Sequence, residues 1–210
     1  MISKRIQSKS LLAKLFENGI RILLFKECKN IGHLEIDIIA SSIQIIKGEI
    51  QKINLSAKDI YYKDLLFDKI ELNSNLIKVD FNIRNKKLNF KNHPKIKFKI
   101  SISEISLKKV LLSHQWNWIG KLISKEILDR ENLEDIKISD GKLLIKASGT
   151  DIYINKLELV NIKTKKGKVY LYNKKYNKKI QIPIEDKIYI ENLNIENNLI
   201  NIFANSSISF

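Results

Sequence analysis

The feature of this chain that most limits its fold is a long stretch of alternating polarity between Leu34 and Ile102. Its kernel runs Gly48-Glu49-Ile50-Gln51-Lys52-Ile53-Asn54-Leu55-Ser56-Ala57, and the pattern continues through Ile70, Leu72, Ile77, Val79, Phe81 and Ile83. A period of two sends successive side chains to opposite faces, so each strand acquires one apolar face. A sheet of such strands must cover that face with helices, a second sheet or a ligand. No part of the run looks like a catalytic loop. Function therefore turns on what the apolar face holds.

The spacing predicts a helix from Ser10 to about Lys29. Leu11, Leu12, Leu15, Phe16, Ile20, Leu23 and Leu24 recur at helical intervals, and Ser10 is placed to cap the first turn. Its expected role is to pack on the sheet; a basic amphipathic helix lying on a membrane is the alternative. Strands are predicted over about 34–46, 49–57, 67–83 and 95–102, with Gly48 at a turn or bulge. Ser103-Glu104 opens a helical pair over about 103–129. Alternation then resumes from Ile136 through Ile152, Ile154, Leu171 and Ile182 to about residue 208. No Pro/Ser-rich linker interrupts it. The pattern predicts one α+β domain over 1–210, built on a single long antiparallel sheet curved around the N-terminal helix.

The formal charge of +15 favours anionic partners, either nucleic acid or an anionic membrane surface. Ile, Lys and Asn supply 94 of the 210 residues, and all three have A/T-rich codons, so biased base composition accounts for part of that charge without any partner. Cys28 is the single cysteine, which excludes an internal disulfide framework and is compatible with a reducing compartment. The basic start Met1-Ile2-Ser3-Lys4-Arg5 lacks the apolar core and small-residue cleavage site of a signal peptide. No uncharged stretch approaches the roughly 20 residues needed to span a bilayer; the run Ile38 to Ile46 is only nine long. A cytoplasmic or peripheral membrane location is expected.

The usual chemical motifs are missing. His33, His93 and His114 lie far apart with no ligand-spaced partner, so no metal site is expected. Nucleophile-elbow and phosphate-loop glycine patterns are absent, and no catalytic residue or cofactor is predicted. The carboxylates at Asp129, Glu131, Glu134 and Asp135 fit a solvated helix end. The strongest charge feature is Lys163, Lys165, Lys166, Lys168, Lys174, Lys175, Lys178 and Lys179: eight lysines and no acid within 163–179, with Tyr170, Tyr172 and Tyr176 interleaved. A hairpin carrying them could meet anionic headgroups or track a nucleic-acid backbone, with tyrosines as stacking platforms. Lysine rather than arginine disfavours base-edge readout. Trp116 and Trp118 suit either a core pair or a membrane interface.

Three segments resemble the LmeA-like phospholipid-binding family, especially its cyanobacterial branch. They are Gly48-Glu49-Ile50-Gln51-Lys52-Ile53-Asn54-Leu55-Ser56-Ala57 with Tyr61 or Tyr62, Ile102-Ser103-Glu104-Ile105-Ser106-Leu107, and Ile188 through Leu199. The segment Asn85-Lys86-Lys87-Leu88-Asn89-Phe90 lacks that branch's turn proline, and Lys108-Lys109-Val110 replaces its Asn-rich helix. The resemblance implies a tubular lipid-binding fold, in which a twisted sheet wraps a helix and leaves an apolar groove.

Together these features predict a non-enzymatic protein that binds phospholipid or another long-chain lipid at an anionic membrane. Leu12, Leu15, Phe16, Ile20, Leu23, Ile53, Leu55, Leu72, Val79 and Phe81 are the expected groove lining. The eight lysines with Trp116 and Trp118 are the expected membrane contacts. The rival readings are a nucleic-acid-binding protein using the basic hairpin, and a structural or assembly factor whose groove is a filled core.

Overall fold

The computed structural model describes residues 10–82, 87–148 and 157–207. Helix α1 (Leu11–Glu27) leads into β1 (Asn30–Ile39), the short helix α2 (Ser42–Ile46), and strands β2 (Glu49–Tyr62), β3 (Leu65–Asn82), β4 (Lys87–Phe90) and β5 (Lys95–Ser103). Helices α3 (Glu104–Leu111) and α4 (Asn117–Leu128) follow, then β6 (Asn132–Ser139), β7 (Lys142–Ser148), β8 (Glu158–Lys165), β9 (Lys168–Asn173), β10 (Lys178–Gln181), β11 (Ile188–Glu196) and β12 (Leu199–Ser207). Serines start three of the four helices by accepting an otherwise unpaired backbone amide: Ser10 from Ala13 at 3.1 Å, Ser41 from Gln44 at 3.2 Å and Ser103 from Ser106 at 3.2 Å.

The strands form two open antiparallel sheets. The larger has the order β1-β2-β3-β5-β12-β11, with β4 paired to β3; the smaller has the order β10-β9-β8-β7-β6. The α+β class stands, but the strands that follow the helical pair divide between two sheets. Only β11 and β12 return to the first, where β12 pairs with β5. Alternation shows which residues share a face and says nothing about which strand is the neighbour.

A second difference lies at Ile38–Ile46, where period two was expected to continue. Strand β1 ends at Ile39 and α2 begins, because Ser41 and Gln44 form a reciprocal capping box in which Gln44 Oε1 accepts the Ser41 amide at 2.8 Å. Ile43 and Ile46, three residues apart in α2, then follow helical spacing.

Helix α1 does not lie across the middle of the larger sheet. It runs along the edge strand β1 and serves that strand's unpaired groups. The Ile38 amide donates to Glu17 Oε1 at 2.9 Å, and Arg21 Nη1 donates to the Leu34 carbonyl at 2.9 Å. An uncovered edge is a template for pairing with other chains, and α1 removes it.

The core falls into two main parts. One joins Ala13 of α1 to Leu34, Ile36, Ile38 and Ala57. The other packs α4, through Ile123 and Ile127, against Ile136, Ile145 and Val160 of the smaller sheet and Ile200 of β12. Glu104 at the start of α3 accepts the Ile138 amide at 2.7 Å, and Asp68 accepts the Ser103 amide at 2.6 Å, so the helical pair is tied to both sheets. At the tip between β8 and β9, the Gly167 carbonyl accepts the Ile190 amide at 3.0 Å and links the sheets a second time.

Gly48 is the position where backbone conformation is decisive. Its φ is +72°, and a Cβ there would overlap the Val79 carbonyl oxygen. Replacing Gly48 with Ala is expected to lower stability by about 2–4 kcal/mol, as steric insertion into packed backbone does. Gly19 sits mid-helix in α1 with open space around it; Gly19→Ala is expected to raise stability by about 0.5–1 kcal/mol. Urea unfolding of both variants checks the pair, and equal effects would contradict the packing described.

Candidate functional site

Between Leu34 and Ile38 the larger sheet sorts its side chains cleanly. Three rows cross all six strands in register. One runs Leu34, Ala57, Ile70, Ile100, Ile202, Leu193; the next Ile36, Leu55, Leu72, Phe98, Ala204, Ile190; the third Ile38, Ile53, Ser74, Ile96, Ser206, Ile188. Directly paired residues share a face, so these rows make one broad, mainly apolar surface, broken by Ser74 and Ser206 in the third row. The intervening residues, including Asp37, Asn54, Asn73, Lys97 and Asn205, make the opposite face polar.

Cover over the apolar face is uneven. Leu34, Ile36 and Ile38 are buried on the α1 side, and Ile190 and Ala204 are buried where Val169 of the smaller sheet packs on them. Between those flanks Ile53, Leu55, Ile70, Leu72, Ile96, Phe98 and Ile100 are half-buried. Among the described residues, Leu72, Ile96 and Ile100 belong to neither flanking cluster. The result is an apolar trough floored by β2, β3 and β5. It is bounded along the strands by Asp59 and Leu76, both at φ +53°, where the phase of burial changes: Ala57 and Ile60 are both buried, as are Ser74 and Ile77.

Past Asp59 the surface becomes polar. Tyr61, Asp64, Leu66, Lys109, Ser113, His114 and Gln115 line an open cleft of about 800 Å³. Asp64 organises its rim, accepting from Lys29 Nζ at 2.7 Å and from the Tyr61 hydroxyl at 2.6 Å. The hydrogen bond from Lys29, then that from Tyr61, holds the Asp64 carboxyl below its ordinary value. The same Asp64 contact pushes the Tyr61 phenol up, so it stays protonated. From Ile53 to Tyr61 is eight residues of β2, or about 27 Å at strand rise. The cleft lining includes none of the trough-floor residues, and Ile60 with its partner Phe67, rather than Tyr61 with Leu66, packs on the side of Ala57 and Ile70.

The expected groove residues separate into groups. Ile53, Leu55 and Leu72 lie together on the trough floor. Leu12 and Ile20 are half-buried against the β1 side of the core. Leu15, at 64% exposure, Leu23 and Phe16 point to solvent, because α1 rests on β1 through Ala13, Ile20 and Leu24. Val79 is buried beside Gly48, away from the trough. The side chain of Phe81 lies outside the described residues, as do Ile152 and Ile154.

The eight lysines do not sit on one hairpin. Strands β8, β9 and β10 form a meander whose two tips lie at opposite ends of β9: Lys165 and Lys166 at one, Lys174 and Lys175 at the other. Acids from outside the segment pair with three of them: Lys168 with Asp186 at 2.6 Å, Lys175 with Glu158 at 2.8 Å and Lys178 with Asp129 at 3.0 Å. Lys163 sits 5.1 Å from the Tyr172 ring centre and Lys179 4.1 Å from that of Tyr170. Both rings therefore already carry a cation. Trp116 is half-buried, its Nε1 donating to the Lys63 carbonyl at 3.0 Å. Trp118 is exposed on α4, which packs on the face of the smaller sheet opposite Tyr170 and Tyr172. The tryptophans and the Lys/Tyr face are not brought together.

Ile70, Ile96, Phe98 and Ile100 complete the trough and were absent from the expected lining; only cross-strand register identifies them. Tyr61, Asp64, Lys109 and His114 were likewise not anticipated as one cluster. Among the described residues, no group of three or more His, Cys, Asp or Glu side chains could hold a metal ion, and no helix is long and apolar enough to cross a membrane. Desolvation, and secondarily the Glu27 charge, pushes the Cys28 thiol up, which disfavours the reactive thiolate. Comparison with protein-family models, curated proteins and solved structures finds no match.

Asp64 and Asp135 provide a test by pH. Asp135 is held below its ordinary value chiefly by Lys108, 2.6 Å away. A lowered folded-state value contributes stability above the unfolded carboxyl value near 4, and that contribution is lost as pH falls through the folded value. The urea midpoint is expected to drop between pH 5 and pH 3, by less in a variant carrying Asp64→Asn and Asp135→Asn. An unchanged slope in that variant would assign the acid sensitivity to other groups.

Proposed function

We propose that this protein is a non-enzymatic lipid-binding protein, and that one long-chain amphiphile lies along the trough. The observation that carries this reading is the set of three mainly apolar in-register rows whose central residues Ile53, Leu55, Ile70, Leu72, Ile96, Phe98 and Ile100 stay half-covered between two packed flanks. A sheet with one polar and one apolar face is ordinary when the apolar face is closed, and here the described residues leave its middle only half-covered. Each buried acyl methylene contributes about 0.8 kcal/mol, so ten methylenes outweigh any single headgroup contact. The family resemblance in the Gly48–Ala57 segment points the same way, and the wrapped tubular architecture it implies belongs to this proposal. The partner is phospholipid or a comparable lipid, met at an anionic membrane surface.

Nucleic-acid binding is the second reading, favoured by the lysines and tyrosines alternating on the outer face of β8–β10. It is weaker because Lys163 and Lys179 already occupy the tyrosine rings on which bases would stack. Displacing each costs about 0.5–1 kcal/mol at an exposed site.

Purified protein is expected to release long-chain lipid on organic extraction, in near-stoichiometric amount by mass spectrometry. Leu72→Lys places a charge on the trough floor and is expected to cut that amount at least several-fold. The milder Leu72→Ala tests whether loss follows the polarity of the floor rather than misfolding, with circular dichroism as the check. Lipid-free protein that takes up no fluorescent fatty acid would overturn the reading. Tight binding to single-stranded RNA near physiological salt would favour the alternative.

A further inference from the structure

Helix α1 packs on β1 through Ala13, Ile20 and Leu24 but carries a second apolar stripe on its solvent side. The usual arrangement buries an apolar stripe and exposes charge. In α1 two of the charged groups, Glu17 and Arg21, turn inward to serve the Ile38 amide and the Leu34 carbonyl. The solvent side instead carries Leu11, Leu15, Ile22 and Phe25, spaced 4, 7 and 3 residues apart along one helical stripe; Ile22 alone is 69% exposed. Beside the start of α1, α2 adds Ile43 and Ile46, the latter 76% exposed. Single exposed apolar residues need no explanation, but an exposed apolar stripe on one helix, with two more exposed isoleucines on the helix packed beside it, marks a contact surface.

We propose that this face of α1 and α2 inserts into the interfacial region of an anionic lipid bilayer, with α1 lying in the membrane plane. The inference rests on the lipid-binding reading, since a bilayer is the source or destination of what the trough holds. Charge selects the bilayer over other occupants. Residues 1–16 contain Lys4, Arg5, Lys9 and Lys14 and no acid, and Lys26 and Lys47 follow close to the patch. Such cations beside an apolar helix face gain from a negative lipid surface. A second copy of the chain would bring another +15 against the first, which like-charge repulsion opposes. The basic meander is a poorer docking plane, because its tips diverge and three of its lysines are already paired.

The test is flotation of the full chain with phosphatidylcholine vesicles, either neutral or containing roughly one-third phosphatidylserine. The wild type is expected to float with the anionic vesicles and far less with neutral ones. A variant carrying Leu15→Glu and Ile22→Glu is expected to lose at least tenfold in vesicle binding while extracting with as much bound lipid as the wild type. Both positions point away from the sheet, and the uncharged pair Leu15→Gln with Ile22→Gln is expected to show a smaller loss in the same direction. Lys165→Glu with Lys166→Glu on the meander is expected to change binding less than twofold. Undiminished flotation of the Leu15/Ile22 variants would overturn the inference. So would a wild type that ignores vesicles and sediments as a dimer which those substitutions dissolve. Either result can occur with lipid still in the trough, leaving the lipid-binding reading intact; flotation by a protein that extracts lipid-free would sink that reading and keep the docking face.

Discussion

Everything else in this molecule depends on the register of the six-strand path in the larger sheet. Side chains meet across strands in direct pairs, and from β1 to β11 the pairing holds apolar with apolar except at Ser74 and Ser206. A slip of one residue between β2 and β3 would set Asn73 and Glu71 into the apolar rows. The trough, the seat of α1 and the contact with the smaller sheet would all be lost together. The bulge between Ile190 and Asn192 occurs only at the far edge, where β11 turns toward the second sheet.

The helical pair acts as the wedge that holds two open sheets in one structure. Ile127 of α4 is fully buried between them, and Glu104, Asp68 and Asp135 anchor backbone amides or a lysine around it. Cover is therefore concentrated at the two ends of the apolar face. One end is closed by a helix laid on an edge strand, the other by helices and a sheet. Among the described residues, the middle strands have no such element over them.

Much of the local structure was legible in the residues. Ser10 and Ser103 marked helix starts, and Ile70–Leu72 or Ile100–Ile102 marked strands, because a cap or a period of two is a property of near neighbours. Ile38 to Ile46 misled because a short apolar run is ambiguous until Ser41 and Gln44 close their capping box. The division into two sheets was not legible, since alternation carries no information about partners. The paired state of the lysines was hidden for the same reason: Asp186, Glu158 and Asp129 lie 18, 17 and 49 residues from the lysines they meet. Helix α1 was the subtlest case. Its apolar residues run most of the way round, so spacing alone could not say that Leu15 and Leu23 face outward while Ala13 faces the sheet.

The pairing of β12 with β5 has a kinetic consequence. Ser101 and Asn201 hydrogen-bond to each other across 100 residues of chain. As the polypeptide leaves the ribosome, β1 to β5 can assemble while β5 still presents a bare edge. That edge must wait through the synthesis of both helices and the entire smaller sheet, several seconds at ordinary elongation rates. Non-local pairing of this kind is slow and leaves a sticky intermediate. The nascent chain is then most vulnerable to mispairing just before its last strands appear, when chaperone shielding of β5 would matter most.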